Sequence, residues 1–215
     1  MTGQVREDDH VRGAVDAPVT VVEYGDYECP YCAAAAPVLE QLVEGSDGRV
    51  RLVFRNFPLA DRHPYALTAA LAAEAAAAQG AFWPMHDLLF TKQDRLTDVA
   101  LRAYAEHLGL DGDRVVGEPA QEFGDRVEND FAEGLAAGVE GTPTLFIDGV
   151  RYTGRMELGA LRRAVGTGEP QNGSGGGSAP GPGRQRRWSL GLRRAQREAV
   201  AEDPQEDDAE DGGGH

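Results

Sequence analysis

The chain has 215 residues, enough for one ordinary domain with additional sequence or for two small domains. Its formal net charge of −15 argues against general nucleic-acid binding, because a phosphate backbone would repel it. No stretch approaches the roughly 18 consecutive apolar residues of a membrane span, and the polar start carries no apolar leader, so a cytoplasmic protein is expected.

In chain order, residues 1–14 read as a flexible N-terminus. Residues 19–24 (Val-Thr-Val-Val-Glu-Tyr) are β-branched and mostly apolar, which predicts a buried strand. Pro30 opens a strongly helix-forming run to Val43, and its missing N–H costs nothing in a first turn. Pro37 lies inside that run and is expected to kink it. Residues 45–48 read as a turn and residues 49–56 as a second strand, giving a β-α-β unit with parallel strands.

Between residues 64 and 138 no strand is predicted. Apolar positions recur at helical spacing over 65–79, 82–90, 98–108 and 118–137, with Gly80, Gly109 and Gly112 between runs. Strand character returns at 144–147, Asp148-Gly149 is a tight hairpin signal, and 150–152 is the returning strand. Residues 157–165 close the pattern as a short helix. The fold class is therefore α/β, with the order β-α-β, a helical block, then β-β-α.

After residue 168 the composition changes. Residues 172–183 are rich in Gly, Ser and Pro and predict a linker. Residues 184–197 hold six arginines around Trp188, Leu190 and Leu192, and residues 198–211 are acidic. A disordered tail over 169–215 is expected. Its arginines offer a weak contact to an anionic membrane or an acidic partner, or are neutralised by the neighbouring acidic run.

The two cysteines, Cys29 and Cys32, are too few and too close for a structural disulfide framework. Their spacing suits a redox pair or half of a zinc site. Zinc would need two further ligands, and His10, His63, His86 and His107 show no ligand spacing. A strand before the pair and a helix after it favour redox chemistry. At a helix N-terminus, unsatisfied N–H groups stabilise a thiolate, so Cys29 is the expected nucleophile and the more buried Cys32 the resolving thiol. Pro30 stiffens the loop, while Tyr31 brings bulk and a hydroxyl but no cation.

Gly-Asp-Tyr-Glu-Cys-Pro-Tyr-Cys at 25–32, Gly-Thr-Pro-Thr-Leu-Phe-Ile at 141–147 and Phe-Trp-Pro-Met-His-Asp-Leu-Leu-Phe at 82–90 together resemble the DsbA-like family of thioredoxin-fold proteins. The likeness spans roughly residues 12–166. It implies a thioredoxin core in two halves, 15–62 and 139–168, interrupted by a helical insertion at 63–138. It also implies that Pro143 is a cis-proline beside the cysteines that helps hold substrate, with Thr142 lying against the redox pair. The alternative for Pro143 is an ordinary turn proline. Glu23 matches an acidic residue under the active site that would accept the proton of Cys32; as a strand residue it could equally face solvent, and Asp26 is a weaker rival.

The resemblance implies a protein disulfide oxidoreductase acting on protein or low-molecular-weight thiols and disulfides, recharged by a reducing or oxidising partner, with no metal or bound cofactor. Strongly oxidising members carry His between the cysteines; Tyr31 stands there, so a less oxidising potential is expected. Two other readings stay open: a redox-sensing or partner-binding module, since such domains are sometimes appended to membrane transporters, and a thiol transferase or isomerase. His63 and His86 read as capping or core-edge residues. Phe82, Trp83 and Phe90 read as helical-block core, or in part as the lining of a peptide groove.

Overall fold

The computed structural model describes residues 5–166. The expected linker, Arg-rich segment and acidic tail lie outside the described residues. The centre of the sheet is made by the two β-branched stretches, β2 (Val19–Gly25) and β3 (Val50–Asn56), which pair in parallel with Val19 opposite Val50. Between them runs α1 (Pro30–Glu44), a crossover that packs back against β3. β1 (His10–Arg12) lies antiparallel on the outer side of β3, and β4 (Thr144–Ile147) antiparallel on the other side of β2. β5 (Val150–Arg151) completes the order β1-β3-β2-β4-β5. The hairpin between β4 and β5 turns through Asp148 and Gly149, both at positive φ (48° and 81°), a conformation that the Asp-Gly pair tolerates.

Alternation along β2 assigns its side chains to two cores. Val21 joins Leu39, Leu42, Leu52, Leu145 and Leu161, between the sheet and the pair formed by α1 and α7 (Leu158–Ala164). Val22 and Tyr24 face the opposite way and join Val53, Phe57 and Phe146 against the helical block. A strand buried on both faces reads as a continuous apolar run, which is why residues 19–24 are so conspicuous in the sequence.

Between β3 and β4 lie α2 (Ala66–Ala77), α3 (Phe82–Thr91), α4 (Asp98–His107), a 3₁₀ turn (Gly112–Arg114), α5 (Gly117–Gln121) and α6 (Gly124–Ala136). The single helix expected over 118–137 is two helices, because Glu122 and Phe123 form a turn and Gly124 restarts the ladder. β1 escaped sequence reading for a simple reason: three residues are too few to show a period. It is held by side chains instead. The Trp83 indole donates to the Val11 carbonyl at 2.9 Å, and the Arg12 guanidinium lies 4.4 Å over the Trp83 ring.

Ahead of β1, residues 6–10 are anchored by a buried ionic network. Arg55, only 2% exposed, donates to both carboxylate oxygens of Asp9, at 2.8 and 3.2 Å, and to the Tyr24 hydroxyl at 3.2 Å. Arg6 pairs with Asp9 and with Asp130, whose other oxygen accepts the Asn56 N–H at 3.0 Å. His10 meets Glu74 at 2.9 Å and stacks on Phe82 at 3.5 Å. The segment expected to be flexible is therefore tied, from Val5 onward, to β3, α2 and α6.

The packing makes a sharp demand at Gly134 on α6. A Cβ there would lie 2.7 Å from Phe57 and 3.0 Å from Tyr24. Glycine to alanine inside a helix ordinarily stabilises by about 1 kcal/mol, whereas overpacking a core costs about 1–3 kcal/mol. Phe57 is itself stacked on Phe131 at 4.4 Å and has little room to yield. Gly134→Ala is expected to lose about 1 kcal/mol in urea unfolding, the net of those two effects; unchanged or higher stability would contradict this packing.

Candidate active site

β2 ends at Gly25 and α1 begins at Pro30, so the intervening loop delivers Cys29 to the N-cap of the helix, with extended backbone (φ −75°, ψ 120°). The Cys29 carbonyl accepts the N–H groups of Cys32 and Ala33, each at 3.1 Å, which winds the first turn and brings Cys32 beneath the same site. Cys29 is 3% exposed and Cys32 0%; both are free thiols. Pro30 and Tyr31 lie between them at the surface, Tyr31 being 74% exposed.

The two thiols are electrostatically unlike. Cys29 is drawn down to about 5, first because the Cys32 thiol donates a hydrogen bond to its sulfur. Burial opposes this, while the backbone N–H groups of Cys32 and Tyr31 assist it. The helix N-terminus expected from the sequence thus contributes, but the neighbouring thiol contributes more. Cys32 is pushed well above the ordinary thiol range by burial and by the hydrogen bond it gives to Cys29.

Glu23 shares the face of β2 that carries Val21, the face covered by α1. It is 0% exposed, and neither carboxylate oxygen has a hydrogen-bond partner. Burial raises it to about 8, and the charge of Cys29 adds to the rise. Of the two candidate acids only Glu23 is unpartnered. Asp26 is fully engaged: Oδ1 accepts the Glu28 N–H at 2.8 Å, and Oδ2 accepts the Leu59 N–H at 2.8 Å and His63 Nδ1–H at 2.7 Å.

The peptide bond between Thr142 and Pro143 is cis. The Thr142 carbonyl accepts the Cys29 S–H at 3.4 Å, and the buried Thr142 hydroxyl has no fixed partner. The structure therefore brings Cys29, Cys32, Glu23 and Thr142 together, with Pro143 next to Thr142 and with Pro30 and Tyr31 on the outer rim.

Two contributors escaped sequence reading. Gln93, between α3 and α4, donates from one amide nitrogen to the carbonyls of Tyr27 and Cys29, both at 2.8 Å. His63, expected as a capping or core-edge residue, is half-buried and donates to Asp26, a link the sequence does not reveal. No local signal marks either, since each lies more than 30 residues from the cysteines. His86 is core and not edge: it is 2% exposed, 3.1 Å from the Tyr27 hydroxyl, and burial pushes its ring well below the ordinary histidine range. Phe82 and Phe90 are buried; Phe90, with Ala33, Ala36 and Pro37, also lines a groove of about 230 Å³ between α1 and α3. Among the described residues no group of three or more His, Cys, Asp or Glu is arranged to hold a metal ion.

The sequence matches the family described as thioredoxin across residues 5–166. The chain belongs to the thioredoxin family. Its fold is similar to that of a thioredoxin-like oxidoreductase from Silicibacter pomeroyi, with a TM-score of 0.67 and 29% identity over 75% of this chain and 92% of the other. It is equally close in shape to the thiol-disulfide exchange protein alpha-DsbA2 from Wolbachia pipientis, with a TM-score of 0.66 at 23% identity over 74% and 87% of the two chains. The chain thus has the DsbA-like thioredoxin fold that both of these proteins share. Sequence similarity also reaches a Na(+)/H(+) antiporter, NhaA 3, from Salinispora tropica, 51% identical over 158 residues. That match takes in 73% of this chain and 24% of the antiporter, so the chain spans about a quarter of the relative's length. Among the described residues no helix is long and apolar enough to cross a membrane.

Glu23 generates a pH prediction. Its carboxyl sits at about 8 in the folded chain against an ordinary 4.5. A raised acid stabilises the fold fully below its unfolded value, and that contribution is lost as pH climbs toward the folded value. At 1.36 kcal/mol per unit, wild type is expected to lose up to about 4 kcal/mol between pH 4.5 and 8 relative to Glu23→Gln, and somewhat less in the disulfide form, where the Cys29 charge is gone. The comparison is made by denaturant unfolding of the disulfide forms, in which neither thiol titrates. Parallel pH profiles for the two proteins would show that Glu23 is not a buried ionisable group.

Proposed function

We propose that this protein is a disulfide oxidoreductase that exchanges a Cys29–Cys32 dithiol or disulfide with protein or small-thiol substrates. The asymmetry of the two thiols supports this reading best: one low-lying sulfur near the surface of a helix N-terminus, one high-lying sulfur behind it. In the reducing direction the Cys29 thiolate attacks one sulfur of a substrate disulfide, forming a mixed disulfide and releasing the first substrate thiolate. Cys32 then gives up its proton and attacks the Cys29 sulfur. The Cys29–Cys32 disulfide forms, the second substrate thiolate leaves, and two electrons have passed to the substrate. The reverse sequence oxidises a substrate dithiol.

Glu23 is the proposed acceptor for the Cys32 proton. The charge on Cys29 is part of what keeps Glu23 protonated. A mixed disulfide removes that charge, so Glu23 ionises more readily at the stage when a base is needed. Thr142 and Pro143 are proposed to receive an extended substrate segment beside Cys29, Pro30 to stiffen the loop, and exposed Tyr31 to touch the substrate. A redox partner restores the starting form. Reductive turnover suits a cytoplasmic setting and oxidative turnover an oxidising one; the measured potential decides between them.

A second reading has its own support in the antiporter relative: a redox-responsive module acting on or within a transporter. Turnover separates the two. Reduction of a disulfide-bonded protein such as insulin, followed by thiol release, is expected for wild type and absent for Cys29→Ser. Cys32→Ser is expected to accumulate mixed disulfides visible by non-reducing mass analysis. Wild type without turnover, or Cys32→Ser without trapped adducts, would overturn the enzyme assignment and leave the module.

A further inference from the structure

Asp26 is built into the redox loop through both its backbone and its side chain. Its carbonyl accepts the Cys29 N–H at 3.1 Å. Its carboxylate is 1% exposed and gathers hydrogen bonds from three separate places: Glu28 in the loop, and Leu59 and His63 in the segment joining β3 to α2. A carboxylate only accepts, so the hydrogen in the 2.7 Å contact belongs to His63 Nδ1. His63 is the only side chain among these donors, and therefore the only one that substitution can remove. Gln93 holds the Tyr27 and Cys29 carbonyls of the same loop.

We propose that His63 is a positioning residue for the Cys29–Cys32 pair: by donating Nδ1–H to Asp26 it fixes the loop that presents the two sulfurs to each other. The inference rests on the redox assignment above and extends it to a residue 31 positions beyond Cys32. Loss of the donor leaves a buried carboxylate short of one hydrogen bond. The carboxylate then turns, and the Glu28 N–H and the first turn of α1 turn with it. Because the reduced state is the one stabilised by an aligned Cys32 S–H and helix N–H groups at Cys29, misalignment disfavours the dithiol.

The test compares His63→Leu, His63→Gln and His63→Asn with wild type in a glutathione redox series. The Cys29 thiolate is titrated in parallel by ultraviolet absorbance, and the melting temperature of each variant is recorded. Leu removes the donor. Gln keeps one but places it where Nε2 was, and Asn restores an N–H close to the Nδ1 position. Leu is expected to shift the equilibrium at least fivefold toward the disulfide and to raise the thiolate midpoint. Gln is expected to shift it at least threefold, and Asn less than twofold.

If His63→Leu does not fold, the contrast between Gln and Asn decides. Equilibria and thiolate midpoints within twofold of wild type for the folded variants, with only the melting temperature lowered, would reduce His63 to a structural residue and overturn the proposal. A wild-type protein with no redox transition would instead defeat the underlying functional reading, so the two failures are distinguishable.

Discussion

The hydrogen bond from the Cys32 thiol to the Cys29 sulfur is the interaction on which the rest of the site depends. It lowers Cys29 and raises Cys32 at once, so a single contact creates both the nucleophile and the latent second thiol. Each surrounding feature bears on that contact. The first turn of α1 sets the distance, the N–H groups of Tyr31 and Cys32 share the charge, and the Thr142 carbonyl offers the Cys29 thiol an alternative partner. Burial on the α1 side keeps water from competing and lifts Glu23 into the range in which a carboxyl can trade protons near neutrality.

Holding two sulfurs in register requires rigidity that a short loop lacks, and the helical block supplies it. Gln93 approaches from beyond α3, His63 from the start of the block, and Tyr27 is wedged among Phe54, His86 and Phe90. The insertion is thus mechanically continuous with the redox loop. The ionic network at residues 6–10 does a comparable service for the opposite edge of the sheet, where Arg55 and Asp130 are buried only because each meets several opposite charges.

Much of this was legible in the sequence wherever the signal was local. Val-Thr-Val-Val before the cysteines, the alanine-rich helix after them and Asp-Gly at the hairpin each state their structure within a few residues, because propensity and turn chemistry act over that range. Glu23 could be named as a candidate from its place six residues before Cys29, but its orientation depended on the pleat of β2 against α1. Asp26 was ranked below it without a way to see that its oxygens were already taken. Neither Gln93 nor the link from His63 to Asp26 had any local signal, since each role exists only once the chain has returned to the loop from elsewhere. The break at Glu122–Phe123 was hidden by an unbroken apolar period on either side.

The most direct test of the central claim is the equilibrium of the Cys29–Cys32 pair in a glutathione redox series, read by thiol alkylation and mass shift. The account predicts one reversible two-electron transition, with both thiols alkylated together on the reducing side and neither on the oxidising side. Two independent one-thiol modifications, or thiols that remain unchanged across the whole series, would contradict it.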